Sequence, residues 1–235
     1  MRSYPKLEPA ALRPEDMARC AAREIPDGAV VNLGIGVPTQ VARFVSPERG
    51  VLFMAENGIV GAGPPPPPGE EDKDYINASR EPITLIPGAA VFGHAESFAM
   101  IRGGHVDIAI LGALQVSAMG DLANWTVPGA GKGGIGGAMD LAVGAKEVYA
   151  IMTHMTKEGG LKILNACTYP LTARQVVKKL FTDIAFIEFT PEGPLLREVA
   201  AGLTAEDVQR VSEPELLVAD PPGTIEKVGE FGSDR

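Results

Sequence analysis

Short apolar runs, each closing on glycine or a polar turn, recur along this chain and alternate with helix-like segments. That alternation constrains the fold more than any other feature. Residues 29–33 (AVVNL), 51–55 (VLFMA), 105–116 (HVDIAILGALQV), 147–155 (EVYAIMTHM) and 183–190 (DIAFIEFT) read as strands, and 81–88 (EPITLIPG) as another. Near-continuous apolar strands belong to sheets covered on both faces. Helical readings fall at 14–24, at Pro38–Phe44, around Glu96–Ile101, from Ala138, at 172–181 (TARQVVKKLF) and at 203–211, where Thr204 and Asp207 suit an N-cap. The expected fold is α/β: a mostly parallel sheet flanked by helices on both faces. We expect one domain over residues 1–235, with a polar tail from about Asp220 to Arg235.

Sheets of this kind hold ligands beyond the carboxyl ends of their strands. Glycine-rich segments fall there, at 34–36, 57–63 and 129–137. The stretch from Gly58 to Asp74, with five consecutive prolines, reads as a long loop.

The balance of 21 basic against 30 acidic side chains, net −9, argues against a nucleic-acid binder. It leaves room for an anionic substrate held by backbone amides and a few cations. Two distant cysteines, Cys20 and Cys167, give neither a disulfide framework nor a zinc spacing. His94, His105 and His154 show no metal-ligand spacing either, so no metal is expected. No apolar stretch reaches about 18 residues and no signal peptide opens the chain, so the expectation is a cytoplasmic protein away from membranes.

Glu56 is the residue with the most chemical promise. It ends an apolar strand and precedes Asn57-Gly58, with Gly61 and Gly63 close behind. Small residues leave room for a bulky chain to approach a carboxylate. An acidic residue at an ordinary turn is the competing reading. The run Gly133-Gly134-Ile135-Gly136-Gly137 before a helix offers backbone N–H groups to an anion or oxyanion, or is simply a surface loop. Gly34-Ile35-Gly36 resembles half of a dinucleotide fingerprint, but Thr39 stands where its third glycine belongs. Ser97 has no nucleophile elbow around it. Thr153 and His154 sit near a strand end and could line a pocket.

Taken together, these segments resemble the class I coenzyme A transferases. The stretch Ala55-Glu56-Asn57-Gly58-Ile59-Val60-Gly61-Ala62-Gly63-Pro64 is similar to that family's Ser-Glu-Asn-Gly and Gly-x-Gly-Pro signature. The likeness continues through 97–105 (SFAMIRGGH), 120–125 (GDLANW) and 136–140 (GGAMD), over roughly residues 15–218. The resemblance is to the β subunit. It implies that the Glu56 carboxylate is the nucleophile and forms a glutamyl-CoA thioester. It also places Gly136, Gly137 and Asn57 in oxyanion or CoA contacts, and Gly34, Gly36, Gly58, Gly61 and Gly63 along the site. Coenzyme A would then be a substrate and covalent intermediate, with no permanently bound cofactor and no metal. The implied partner is an α-type subunit, in a heterotetramer. The implied acyl acceptor is 3-oxoadipate, with acetoacetate as the alternative. A non-catalytic acyl-CoA or sugar-phosphate sensor is the competing class on such a scaffold. Two features depart from the family pattern: Ala55 replaces the usual serine, and Lys132 lies further from the glycine pair than is usual.

Overall fold

A computed structural model describes residues 7, 10–129, 133–134 and 136–227. In chain order its elements are α1 (Pro14–Arg23), β1 (Val30–Leu33), a 3₁₀ helix (Val37–Phe44), β2 (Leu52–Ala55), β3 (Ile59–Ala62), β4 (Leu85–Val91), α2 (His94–Arg102), β5 (Ile108–Gly112), β6 (Gln115–Ser117), β7 (Leu122–Ala123), α3 (Ala138–Gly144), β8 (Glu147–Met152), β9 (Ile163–Leu164), β10 (Val177–Thr182), β11 (Ala185–Thr190), β12 (Gly193–Ala200), α4 (Ala205–Arg210) and β13 (Leu217–Ile225). The main sheet has ten strands in the order β13-β12-β11-β10-β8-β5-β1-β2-β3-β4. Its centre, β10-β8-β5-β1-β2, is parallel throughout. Antiparallel pairs extend both sides, β2-β3-β4 and β10-β11-β12. β6, β7 and β9 form a separate three-stranded sheet.

Side-chain alternation along the central strands feeds two apolar layers. Ile108, Ile110, Tyr149 and Ile151 face a layer with Met17, Cys20 and Ala21 of α1. Ala109, Leu111, Val148 and Ala150 face the opposite layer, with Phe98 and Ile101 of α2 and Leu141 of α3. Both faces are therefore covered, as the apolar strand runs require. On the second face the helices cross closely. A methyl group on Gly144 of α3 would fall on the carbonyl oxygen of Ile101.

Four expectations change. Residues 172–181, read as a helix, contain β10, which pairs with β8 on one side and β11 on the other. The register shifts between Val177 and Lys179, so Val177 and Leu180, three apart, share a face while Phe181 takes the other. That irregularity imitates helical spacing in the sequence. The run 105–116 is two strands in different sheets, β5 and β6. The long loop begins later than Gly58, because β3 occupies Ile59–Ala62. The polar tail also begins later, because β13 runs to Ile225, which pairs with Ala200 and is buried in the first layer. Lys132, Ile135 and residues 228–235 lie outside the described residues.

Candidate active site

The parallel strands β1, β2, β5, β8 and β10 end on one edge of the sheet, at Leu33, Ala55, Gly112, Met152 and Thr182. Glu56 stands at that edge, first in the tight turn between β2 and β3. The turn is closed by the Gly58 N–H donating to Ala55 O at 3.0 Å. Gly58 has φ +120°, and a β-carbon there would collide with the Phe92 carbonyl oxygen. Only glycine satisfies both conditions. Phe92 N–H in turn donates to Gly58 O at 2.9 Å. The Glu56 turn is thus bound directly to the segment that leads into α2.

Gly93 is the N-cap of α2, and its N–H donates to Glu96 Oε2 at 2.6 Å, a capping contact that satisfies an otherwise orphaned donor. One turn along, the rings of His94 and Phe98 lie 4.6 Å apart. Arg102 reaches back over Phe98 at 5.7 Å and pairs with Asp140 Oδ1 at 2.9 Å. This pair joins α2 to α3 beside the carboxylate.

Gly137, at the start of α3, is buried and lies against Glu56. A methyl carbon built on it would sit 2.5 Å from Glu56 Oε2 and 2.8 Å from Phe98 Cζ. No side chain fits between these groups. Burial raises the Glu56 pKa above the ordinary glutamate value; the charge of His94 opposes that rise and the charge of Asp140 adds to it. A carboxylate short of solvating water is a stronger nucleophile than one in bulk solvent.

The other residues expected at the site divide into groups. Asn57 is exposed and its side-chain amide donates to Ile76 O at 2.8 Å, fastening the excursion between β3 and β4. Gly136 has φ +51° and is exposed beside Gly137. Gly34 donates to Ile110 O at 2.8 Å and packs against β5, whereas Gly36, φ +90°, borders open space at the end of β1. Gly61 and Gly63 let the chain at and just after β3 pack closely on its neighbour, with Ala89 Cβ and Thr84 Oγ1 only 2.8 and 2.5 Å from the positions their β-carbons would take. His94, Phe98 and Asp140 are the neighbours that sequence reasoning missed. Phe98 lies inside the 97–105 motif, one helical turn after His94, and Asp140 inside the 136–140 motif.

His154, a candidate pocket residue, is sealed instead. It is 1% exposed, its ring nitrogens each 3.0 Å from Thr182 Oγ1 and Ser212 Oγ. Its pKa is pushed down to about 3, chiefly by burial. Thr153 Oγ1 donates to Met155 O and accepts from Lys162 Nζ at 3.1 Å. Among the described residues, no group of three or more His, Cys, Asp and Glu side chains is placed to hold a metal, and no helix is long and apolar enough to cross a membrane.

The sheet is parallel at its centre and covered on both faces, and a half-buried glutamate lies against a glycine at its carboxyl edge. Residues 14–210 match the family described as Coenzyme A transferase. The chain is 49% identical over 203 residues to the β-type subunit of the 3-oxoadipate CoA-transferase of Pseudomonas putida, covering 86% of this chain and 95% of that one. It is 48% identical over 204 residues to the β-type subunit of the succinyl-CoA:3-ketoacid coenzyme A transferase of Helicobacter pylori, covering 87% and 98%. Its fold is shared with the acyl-CoA transferase YdiF of Escherichia coli O157:H7, at a TM-score of 0.72 and 18% identity, over 90% of this chain and 43% of the YdiF chain. The chain belongs to the coenzyme A transferase family, among its β-type subunits, and is an enzyme subunit that handles coenzyme A as a substrate.

Proposed function

We propose that this chain carries the nucleophile of a succinyl-CoA:3-oxoacid CoA-transferase, with 3-oxoadipate as the acyl acceptor. The contact of the Glu56 carboxylate with Gly137 is the observation that carries the reading. In the first step a Glu56 oxygen attacks the thioester carbonyl carbon of succinyl-CoA, and the C–S bond breaks to give a mixed anhydride and CoA thiolate. The thiolate attacks the Glu56 carbonyl carbon and expels succinate, leaving a glutamyl-CoA thioester. The carboxylate of the 3-oxoacid attacks that thioester, releasing thiolate and forming a second anhydride. Attack of the thiolate on the 3-oxoacyl carbon frees the Glu56 carboxylate and yields the new acyl-CoA. Each step exchanges one carboxylate or thiolate for another, so the cycle needs no net proton.

Each tetrahedral intermediate places an oxyanion next to Glu56. The backbone N–H of Gly137, with Gly136 beside it, is suited to stabilise that charge, and one such donor is worth about 3–4 kcal/mol in a transition state. The absence of a side chain at Gly137 lets the backbone come this close.

An α-type subunit completes the site, in a dimer of heterodimers. The naming of the relatives as single subunits of their enzymes and the greater length of the YdiF chain support a second half. Acetoacetate is the alternative acceptor, favoured by the 48% identity to the Helicobacter pylori 3-ketoacid enzyme. Initial-rate kinetics of the co-expressed pair test the reading. Parallel double-reciprocal lines and a higher kcat/KM for 3-oxoadipate than for acetoacetate are expected. Intersecting lines would exclude the covalent cycle, and the reverse preference would reassign the acceptor.

A further inference from the structure

His94 is an exposed side chain at the rim of the Glu56 site that the cycle above leaves without a task. It is the first residue of α2. Its backbone is tied to the turn that carries the carboxylate, because Phe92 N–H, two residues earlier, donates to Gly58 O at 2.9 Å. Its ring centre lies 4.6 Å from that of Phe98, the two planes tilted by 32°. The Phe98 ring is also the third member of the Glu56–Gly137 contact. A methyl carbon on Gly137 would stand 2.8 Å from Phe98 Cζ and 2.5 Å from Glu56 Oε2. His94 and the carboxylate thus lie around one ring. They are also coupled, since charge on His94 lowers the Glu56 pKa against the rise that burial causes.

The charged groups beside it are committed elsewhere. Arg102, which also lies over Phe98, pairs with Asp140 Oδ1 at 2.9 Å, and Glu96 accepts from Gly93 N–H at 2.6 Å. Among the described residues, the ring nitrogens of His94 have no hydrogen-bond partner, so they are open to a ligand. An imidazole keeps at least one N–H donor whether neutral or charged. In the resting enzyme it stands by the Glu56 anion. Conversion of Glu56 to a thioester removes that charge, and the cycle continues only when a second carboxylate reaches the same carbon. The incoming acid restores the negative charge that His94 has lost. We propose that His94 is a substrate-binding residue whose ring N–H donates to the carboxylate of the acid that attacks the Glu56 thioester. In that step a carboxylate oxygen bonds to the Glu56 carbonyl carbon and the C–S bond breaks, while His94 keeps its proton. The proposal rests on the CoA-transferase reading above and names one residue of the acid's binding site.

The test uses the Glu56→Gln chain, whose uncharged side chain stands in for the thioester and does not react. Its histidine rings are ¹⁵N-labelled and it is assembled with its unlabelled partner subunit. The chain has three histidines, and His94→Phe identifies the signals of the first. His154 is sealed in the core and His105 precedes β5 at the opposite edge of the sheet, so both serve as controls. Adding 3-oxoadipate should move the His94 signals and leave the other two in place. With Glu56 present and ionised, the same acid should move them far less, because an anion already stands there. In the active enzyme, His94→Phe keeps a ring against Phe98 and removes the donor. At saturating succinyl-CoA it should raise KM for the acid about tenfold, and His94→Gln, which retains a neutral N–H, should recover most of that loss. His94 signals that the acid does not move in the Glu56→Gln protein, equal movement in both forms, or a native KM in His94→Phe would overturn the proposal. Formation of the CoA adduct on Glu56 in the native assembled protein would then show that the CoA-transferase reading stands without it.

Discussion

The Glu56 carboxylate and the α-carbon of Gly137 pack so closely that the β-carbon of any other residue would lie 2.5 Å from Glu56 Oε2. Two segments some eighty positions apart are brought together by the crossing of α2 and α3, with Phe98 as the third member of the contact. The absence of a side chain at Gly137 is what lets its backbone come this close to the Glu56 carboxylate.

Gly137→Ala should therefore lower kcat by about 10²–10³, the effect of displacing one oxyanion donor. CoA affinity of the assembled enzyme should change only a few-fold. Rate and binding measured on the same preparation distinguish the cases. Unchanged kcat with collapsed affinity would make this segment a positioning loop.

Gly58→Ala tests the turn without touching the carboxylate. The substitution combines φ +120° with a collision against the Phe92 carbonyl. Stability should fall by about 2–3 kcal/mol or more, read by chemical denaturation of the assembled protein. A loss under about 0.5 kcal/mol would mean that the β2–β3 turn relaxes freely.

The acid limb of the rate profile should begin at a higher pH than that of an ordinary glutamate, about 4.3. Burial lifts the Glu56 pKa, and only the ionised form attacks, so activity is lost as pH falls through that raised value. Asp140→Asn removes a charge that raises the pKa, so its acid limb should shift to lower pH. A shift in the opposite direction would contradict this account of the site's electrostatics.

His154 gives a stability effect of its own. Its folded pKa of about 3 lies below the unfolded value near 6.5. The unfolded chain therefore takes up the proton first, and the histidine's contribution, whole above about pH 6.5, is lost as pH falls toward 3. Compared with His154→Gln, the native protein should be more stable at pH 7.5, and its advantage should shrink at pH 5. A pH-independent difference would place the effect in packing alone.

Much of the fold was legible because burial on both faces writes itself into strands such as Ile108–Gly112 and Glu147–Met152. The strand-end position of Glu56 and the tight turn after it were legible, since Asn57-Gly58 marks a turn and close approach demands small residues. β10 was not, because its register shift placed Val177 and Leu180 on one face at a helical spacing. β13 was hidden by Asp220 and the two prolines after it, although Ile225 closes a core layer. Phe98 and Asp140 could not be assigned to Glu56 from sequence, because their proximity depends on how α2 crosses α3. The glycine run likewise does not reveal which member meets the carboxylate; the packed contact singles out Gly137.

The central claim is that Glu56 carries CoA as a thioester. The most direct measurement is the intact mass and peptide map of this chain after the assembled enzyme meets succinyl-CoA without an acceptor. The mass should rise by that of CoA less one water, on the peptide containing Glu56. The rise should vanish on adding the 3-oxoacid and should never appear in freshly prepared Glu56→Gln protein shown free of deamidation. An enzyme that turns over with this chain unmodified, or with the adduct on another residue, would contradict the account.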